Sequence, residues 1–258
     1  MQQGKNRFVS VQLYAVRDLM NQDFPGVMKK LAALGYGYVE LYHHAYGGAS
    51  PAEIKGILAG AGLKVSGCHV GMEDLENKLD ETLAFLAGYD CPHIICGWAE
   101  YPTALAPWQR ARFFNQVGKK ARESGLFFSL HNHRQEFSFA GGRRILDILM
   151  ENTDPALVGL EMDTYWAVKG GADPAEFQAR WKHRSPLIHL KDYNPAKNPD
   201  WATVGDGIID FAPVIKAASE TRGFVFDLDD SDDLFRDFGK ALGRIRELLG
   251  IEDPLLCP

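Results

Sequence analysis

The sequence predicts an α/β protein built as a single (β/α)8 TIM barrel spanning residues 1–258. Three observations carry that expectation. Eight short β-rich runs alternate with helical patterns along 258 residues, the arithmetic of such a barrel. No linker or change of composition divides the chain, and no GxGxxG follows the first run, which speaks against a doubly wound open sheet. Ionisable residues gather at the C-terminal ends of the runs, the end where a barrel carries its active site.

In chain order the strand candidates are FVSVQLY from Phe8, YVELY from Tyr38, KVSGCHV from Lys64 and HIICGW from His93. LFFSLHNH from Leu126, LVGLEMD from Leu157, PLIHLKD from Pro186 and FVFDLDD from Phe224 follow. Each is short and rich in β-branched or aromatic residues. The helices between them announce their starts. Ser50-Pro51-Ala52-Glu53 reads as a capping box with proline at the first helical position, and Asp173-Pro174-Ala175-Glu176 repeats that grammar. The segment LAPWQRARFFNQVGKKARESG is amphipathic and stops at Gly125, a C-cap candidate. Glycines in LGYGYVEL and GAGLKVSG mark helix-to-strand turns.

Composition narrows the function classes. With 46% hydrophobic residues the chain can bury a large core. A formal net charge of −6 lacks the basic stripe of a nucleic-acid surface. Cys68, Cys91, Cys96 and Cys257 show no CxxC spacing, so neither a zinc ribbon nor a disulfide framework is expected. The start, MQQGKNRFVSVQLYAV, lacks the apolar core of a signal peptide, and no run reaches transmembrane length. The expectation is a cytoplasmic protein without membrane or nucleic-acid partners, with homo-oligomerisation left open.

The run ends hold the chemistry. In SLHNHRQEF, strand alternation turns His131 and His133 to one face and Asn132 to the other. Glu161 shares a face with Asp163, His189 with Lys191, and Asp227 with Asp229. Earlier runs supply Gln12, Glu40 and His69. A lone Glu40 or His69 could be an ordinary rim or core polar group. Nearly every run delivering one at the same end is harder to dismiss, because unpaired charges rarely enter a barrel. Asp163, His189 and Asp227 form a mixed carboxylate–imidazole set that suits Mn²⁺, Zn²⁺, Co²⁺ or Fe²⁺ better than Ca²⁺.

The pieces VSVQLYAVRDLM, LGYGYVELY, AGLKVSGCHV, LHNHRQEF, GLEMDTYWAVKGGADP, LIHLKDY and VGDGIIDF occur in order along almost the whole chain. Together they resemble the sugar phosphate isomerase/epimerase family of xylose isomerase-like TIM barrels. The resemblance implies one divalent metal held from strands five to eight, with Asp163, His189 and Asp227 as ligands. The strand-five ligand would be Glu136 reaching back from the loop, or His131; Glu136 is preferred. It also implies a small sugar substrate, with His131, His133, Asp227 and Lys191 as catalytic candidates. Gln12, Glu40, His69, Trp98 and Trp166 are the substrate-binding candidates, and Tyr14, Trp201 and Phe137 are further possible walls. Lys191 would either face a developing oxyanion or pair with Glu161. The loop Gly205-Asp206-Gly207 resembles a phosphate-receiving loop, but no arginine or lysine follows closely.

The departures matter. Asp227 stands where a glutamate is usual, and Trp166 where several epimerases have a histidine. The primary expectation is a metal-dependent sugar or sugar phosphate isomerase or epimerase acting by enolisation beside a carbonyl. A lyase or dehydratase on a keto-sugar or keto-inositol shares that first step and is the alternative. Apurinic endonucleases resemble the same fold but use a basic groove, which this acidic chain lacks. A non-catalytic sugar-binding barrel is the remaining rival.

Overall fold

Each predicted run becomes a barrel strand; YVELY and KVSGCHV keep their bounds, and in the first, fourth, fifth, seventh and eighth runs the last residues leave the sheet and turn onto the rim. The computed structural model describes residues 7–251. The barrel strands are β1 (Phe8–Val11), β2 (Tyr38–Tyr42), β3 (Lys64–Val70) and β4 (His93–Cys96). They are followed by β5 (Phe127–His131), β6 (Val158–Asp163), β7 (Leu187–Leu190) and β8 (Gly223–Phe226). From β2 to β8 each pairs in parallel with the next, and β1 pairs in parallel with β8. The seam between β1 and β2 is nearly closed by a bridge from Gln12 to Glu40, with the Leu13 amide donating to the Glu40 carbonyl at 3.0 Å.

Among the described residues ten α-helices surround the strands: α1 (Arg17–Ala33), α2 (Pro51–Ala61), α3 (Met72–Asn77), α4 (Leu79–Ala87) and α5 (Ala106–Glu123). The rest are α6 (Ile145–Glu151), α7 (Thr164–Lys169), α8 (Pro174–Trp181), α9 (Phe211–Ala217) and α10 (Leu234–Leu249). Their starts follow the sequence signals. Ser50 Oγ accepts from the Glu53 amide while Glu53 Oε2 accepts from the Ser50 amide at 2.9 Å, the reciprocal box. Asp173 Oδ1 accepts from the Ala175 amide at 2.7 Å. In α5 the buried positions Ala111, Phe114, Val117, Gly118 and Ala121 recur every three or four residues, and Gly125 ends the turn with φ +80°. Gly118 lies tight against the chain entering β6: a Cβ there would lie 2.5 Å from the Leu157 carbonyl oxygen.

One irregularity positions the site. Between Val39 and Glu40 the β2–β3 register slips, so that Val39 faces Val65 but Glu40 faces Gly67. The bulge turns the Glu40 carboxylate toward the barrel axis, beside Gly67, whose missing side chain makes room chiefly for Ile95. A methyl on Gly67 would sit 3.4 Å from Glu40 Oε2 and 2.6 Å from Ile95 Cδ1. Among the described residues no helix is long and apolar enough to cross a membrane. Cys68, Cys91 and Cys96 are buried free thiols, and Cys257 lies outside the described residues.

Candidate active site

Five strands send ionisable side chains to the barrel axis: Glu40 from β2, His69 from β3, His131 from β5, Glu161 from β6 and His189 from β7. All are buried. Burial of two carboxylates without partners would be prohibitive, so they are met by imidazoles. Glu40 Oε1 lies 2.7 Å from His189 Nε2 and 3.2 Å from His69 Nε2, and it accepts from Gln12 Nε2 at 3.1 Å. Glu161 Oε2 lies 2.8 Å from His69 Nε2, 3.1 Å from His189 Nε2 and 3.3 Å from His131 Nδ1. Burial alone would raise both carboxyls, but the imidazoles outweigh it: Glu161 is held down to about 2, and Glu40 is pulled the same way. For His69, burial is outweighed by Glu161 and Glu40, which raise it to about 9. His189 is raised too.

The second group lies toward the mouth and shares His189. Its Nδ1 is 3.7 Å from Asp227 Oδ2 and 3.9 Å from Asp163 Oδ2, too long for hydrogen bonds. His189 Nδ1 and Asp163 Oδ2 are both buried without a hydrogen-bond partner. These two orphaned atoms, one from a carboxylate and one from an imidazole, converge with the Asp227 carboxylate on a set that fits a divalent cation. His189 Nε2 at Glu40 would then be the outer hydrogen bond that orients a metal-bound histidine. Asp163 is fixed by its surroundings. Its Oδ1 caps α7 at the Trp166 amide at 2.8 Å, and Asn132 Oδ1 accepts from its backbone amide at 3.0 Å. Burial, opposed by Lys191, pushes its carboxyl up to about 7.

Lys191 is fully buried and bonds Asp227 Oδ2 at 3.1 Å and Asp229 Oδ2 at 2.6 Å. Of the two partnerships open to it in the sequence, pairing with Glu161 is not formed; the ammonium serves the β8 end instead. His131 and His133 do face one cavity, as alternation requires, while Asn132 faces β6. Both imidazoles are kept neutral, chiefly by burial: His131 falls well below its ordinary range and His133 to about 3. That cavity, about 370 Å³, is walled by Tyr14, Tyr42, Trp98 and Trp166, and Gln12, His69, Asp227 and Asp229 also reach it.

Other expected residues lie elsewhere. Glu136 is brought to neither ligand group; its Oε2 accepts from the His133 amide at 2.8 Å, and burial raises its carboxyl to about 7. Glu40 is under the cavity and does not line it. Phe137 packs on Phe177 with ring centres 5.1 Å apart, and Trp201 Nε1 donates to the Asp230 carbonyl at 3.0 Å; neither walls the cavity. Tyr42 and Asp192 escaped the sequence reading. Tyr42 ends β2 and was readable as the next rim position. Asp192 follows Lys191 in the HLKD run, but its partners lie 13 to 17 residues away. The amides of Gly205 and Gly207 donate to Asp192 Oδ2 at 3.0 and 2.9 Å, and Ile209 donates to Oδ1 at 3.0 Å. The glycine loop thus gives its amides to a carboxylate of its own chain.

The fold and this rim of histidines and carboxylates are those of a parallel (β/α)8 barrel with its ligand groups at the C-terminal strand ends. Residues 28–228 match the xylose isomerase-like TIM barrel family, and the chain belongs to it. Among solved structures, a sugar phosphate isomerase/epimerase from Parabacteroides distasonis superposes with a TM-score of 0.80 at 22% identity, covering 95% of this chain and 96% of that one. A probable 3-DHS dehydratase from Bacillus anthracis gives 0.73 at 11% identity, covering 92% and 98%. Among curated proteins, inosose dehydratase from Lacticaseibacillus casei is 31% identical over 131 residues, 44% of this chain and 43% of that protein. The match to this dehydratase thus spans less than half of its length.

Proposed function

We propose that the chain is a metal-dependent lyase that removes water from an uncharged keto-sugar or keto-cyclitol, by proton abstraction beside the carbonyl. The observation that carries this reading is an opposed pair of imidazoles on one cavity. His69 is held protonated at neutral pH by Glu161 and Glu40, while His131 and His133 are held neutral, and the His69 and His131 ring centres are 4.9 Å apart. Environments that drive like groups apart in pKa assign a base and an acid. His133, which lines the same cavity, takes the α-proton. Its bond electrons form the carbon–carbon double bond as the β-carbon–oxygen bond breaks, and His69 gives a proton to the departing hydroxyl, which leaves as water.

Asp163, His189 and Asp227 would hold the divalent ion, with His131 in place of Glu136 as the strand-five candidate; the ion's contribution is to polarise the substrate carbonyl. Trp98, Trp166, Tyr14 and Tyr42 supply faces on which a sugar or cyclitol ring stacks. An uncharged substrate fits two features: Lys191 is committed to two aspartates, and the glycine-loop amides are committed to Asp192. The dehydratase names among the relatives support the lyase, and the isomerase or epimerase reading shares the same first step.

The test is proton NMR in D₂O with Mn²⁺ across inososes, free ketoses, 3-keto-glucosides and ketose phosphates. The expected result is an unsaturated or diketone product from an uncharged keto-polyol. Isomerised or epimerised product would return the isomerase instead. Metal bound but no product anywhere would leave a non-catalytic sugar-binding barrel. Asp163→Ala should abolish binding of this ion without changing the circular dichroism.

A further inference from the structure

His43 and His44 follow β2 directly, and consecutive residues of a continuing strand would point their rings to opposite faces. Here they do not. His44 adopts φ +69°, the left-handed region that non-glycine residues seldom enter. That turn lays the two rings side by side, with centres 3.9 Å apart. Such a conformation persists only where neighbouring structure imposes it.

The same turn brings both rings to Asp74 of α3. His44 Nε2 lies 3.0 Å from Asp74 Oδ2, and one ligand atom from each of the three residues lies within 4.8 Å of the others. His43 and Asp74 are buried while His44 is open to solvent. His43 makes edge-on contacts with Phe85 and Tyr46, at 5.5 and 6.1 Å between ring centres, and its buried Nδ1 has no hydrogen-bond partner. Two imidazoles and a carboxylate with one side exposed is the donor set of a three-residue transition-metal site with room for water.

We propose that His43, His44 and Asp74 form a second divalent-metal site, separate from the barrel centre and selective for Zn²⁺, Co²⁺, Ni²⁺ or Cu²⁺ over Mg²⁺ and Ca²⁺. It ties two segments that continue from the cavity wall: Tyr42 precedes His43, and Val70 and Gly71 precede α3. An ion there clamps the β2 and β3 ends of the rim to each other. It shares no ligand with the centre that Asp163 belongs to.

The experiment counts Zn²⁺ per chain by elemental analysis after equilibrium dialysis, in the wild type, Asp163→Ala, His44→Asn and Asp74→Asn. Asparagine tolerates the left-handed turn, so His44→Asn removes the imidazole and keeps the loop. The expected counts are two for the wild type and one for each variant. Co²⁺ bound to Asp163→Ala should show visible d–d absorption that His44→Asn in the same chain reduces at least tenfold. A count unchanged by both His44→Asn and Asp74→Asn overturns the second site. A count unchanged by Asp163→Ala, with the His44 effect intact, overturns the barrel-centre ion and leaves this one standing.

Discussion

Replacing Glu40 by glutamine isolates the hydrogen bond that orients His189. The substitution keeps length and shape. The new carbonyl oxygen can still accept from His189 Nε2, now 2.7 Å away, and from Gln12 at 3.1 Å. What it loses is the negative charge behind the imidazole. The amide nitrogen takes the place of Glu40 Oε2, which has no partner in the wild type and gains none. Outer partners of metal-bound histidines typically contribute about 10–100-fold in metal affinity, or about 1.4–2.7 kcal/mol. With the charge gone but the hydrogen bond kept, about tenfold is expected for the ion that Asp163→Ala abolishes. Competition against a chromophoric chelator reads the affinity, and circular dichroism confirms the fold. Affinity within twofold of wild type would show that Glu40 does not act on the ion through His189.

Three further outcomes follow from the geometry. His131→Gln should weaken the barrel-centre ion more than Glu136→Gln does, measured by the same competition, because only His131 borders that group; the reverse order would restore Glu136 as the strand-five ligand. Burial raises Glu136 from 4.5 to about 7, so the folded state binds its proton more tightly than the unfolded state. Stability therefore falls as pH rises between those values, by up to about 3 kcal/mol, and Glu136→Gln should flatten that fall in urea titrations at pH 5 and pH 8. Gly118→Ala forces a methyl to 2.5 Å from the Leu157 carbonyl and should destabilise by about 1–3 kcal/mol in urea; an unchanged midpoint would mean that α5 can slide.

The local signals were sufficient for the barrel and for much of its rim. Alternating strands and capped helices carry their own periodicity, so the eight strands, the Ser50 and Asp173 caps and the shared cavity of His131 and His133 could be read residue by residue. Asp163, His189 and Asp227 could be grouped because strand ends in a barrel all face one way. The partnerships needed the tertiary structure. Whether Lys191 serves Glu161 or Asp229 depends on the tilt between neighbouring strands, and no spacing encodes that. Glu40 enters the axis through a register slip against β3, invisible in the alternation of YVELY. Asp192 fills the glycine loop from 13 residues upstream, and His43 meets Asp74 through one left-handed residue. Each of these depends on where atoms distant in the chain come to rest, and a buried charge is satisfied only by what it finds there.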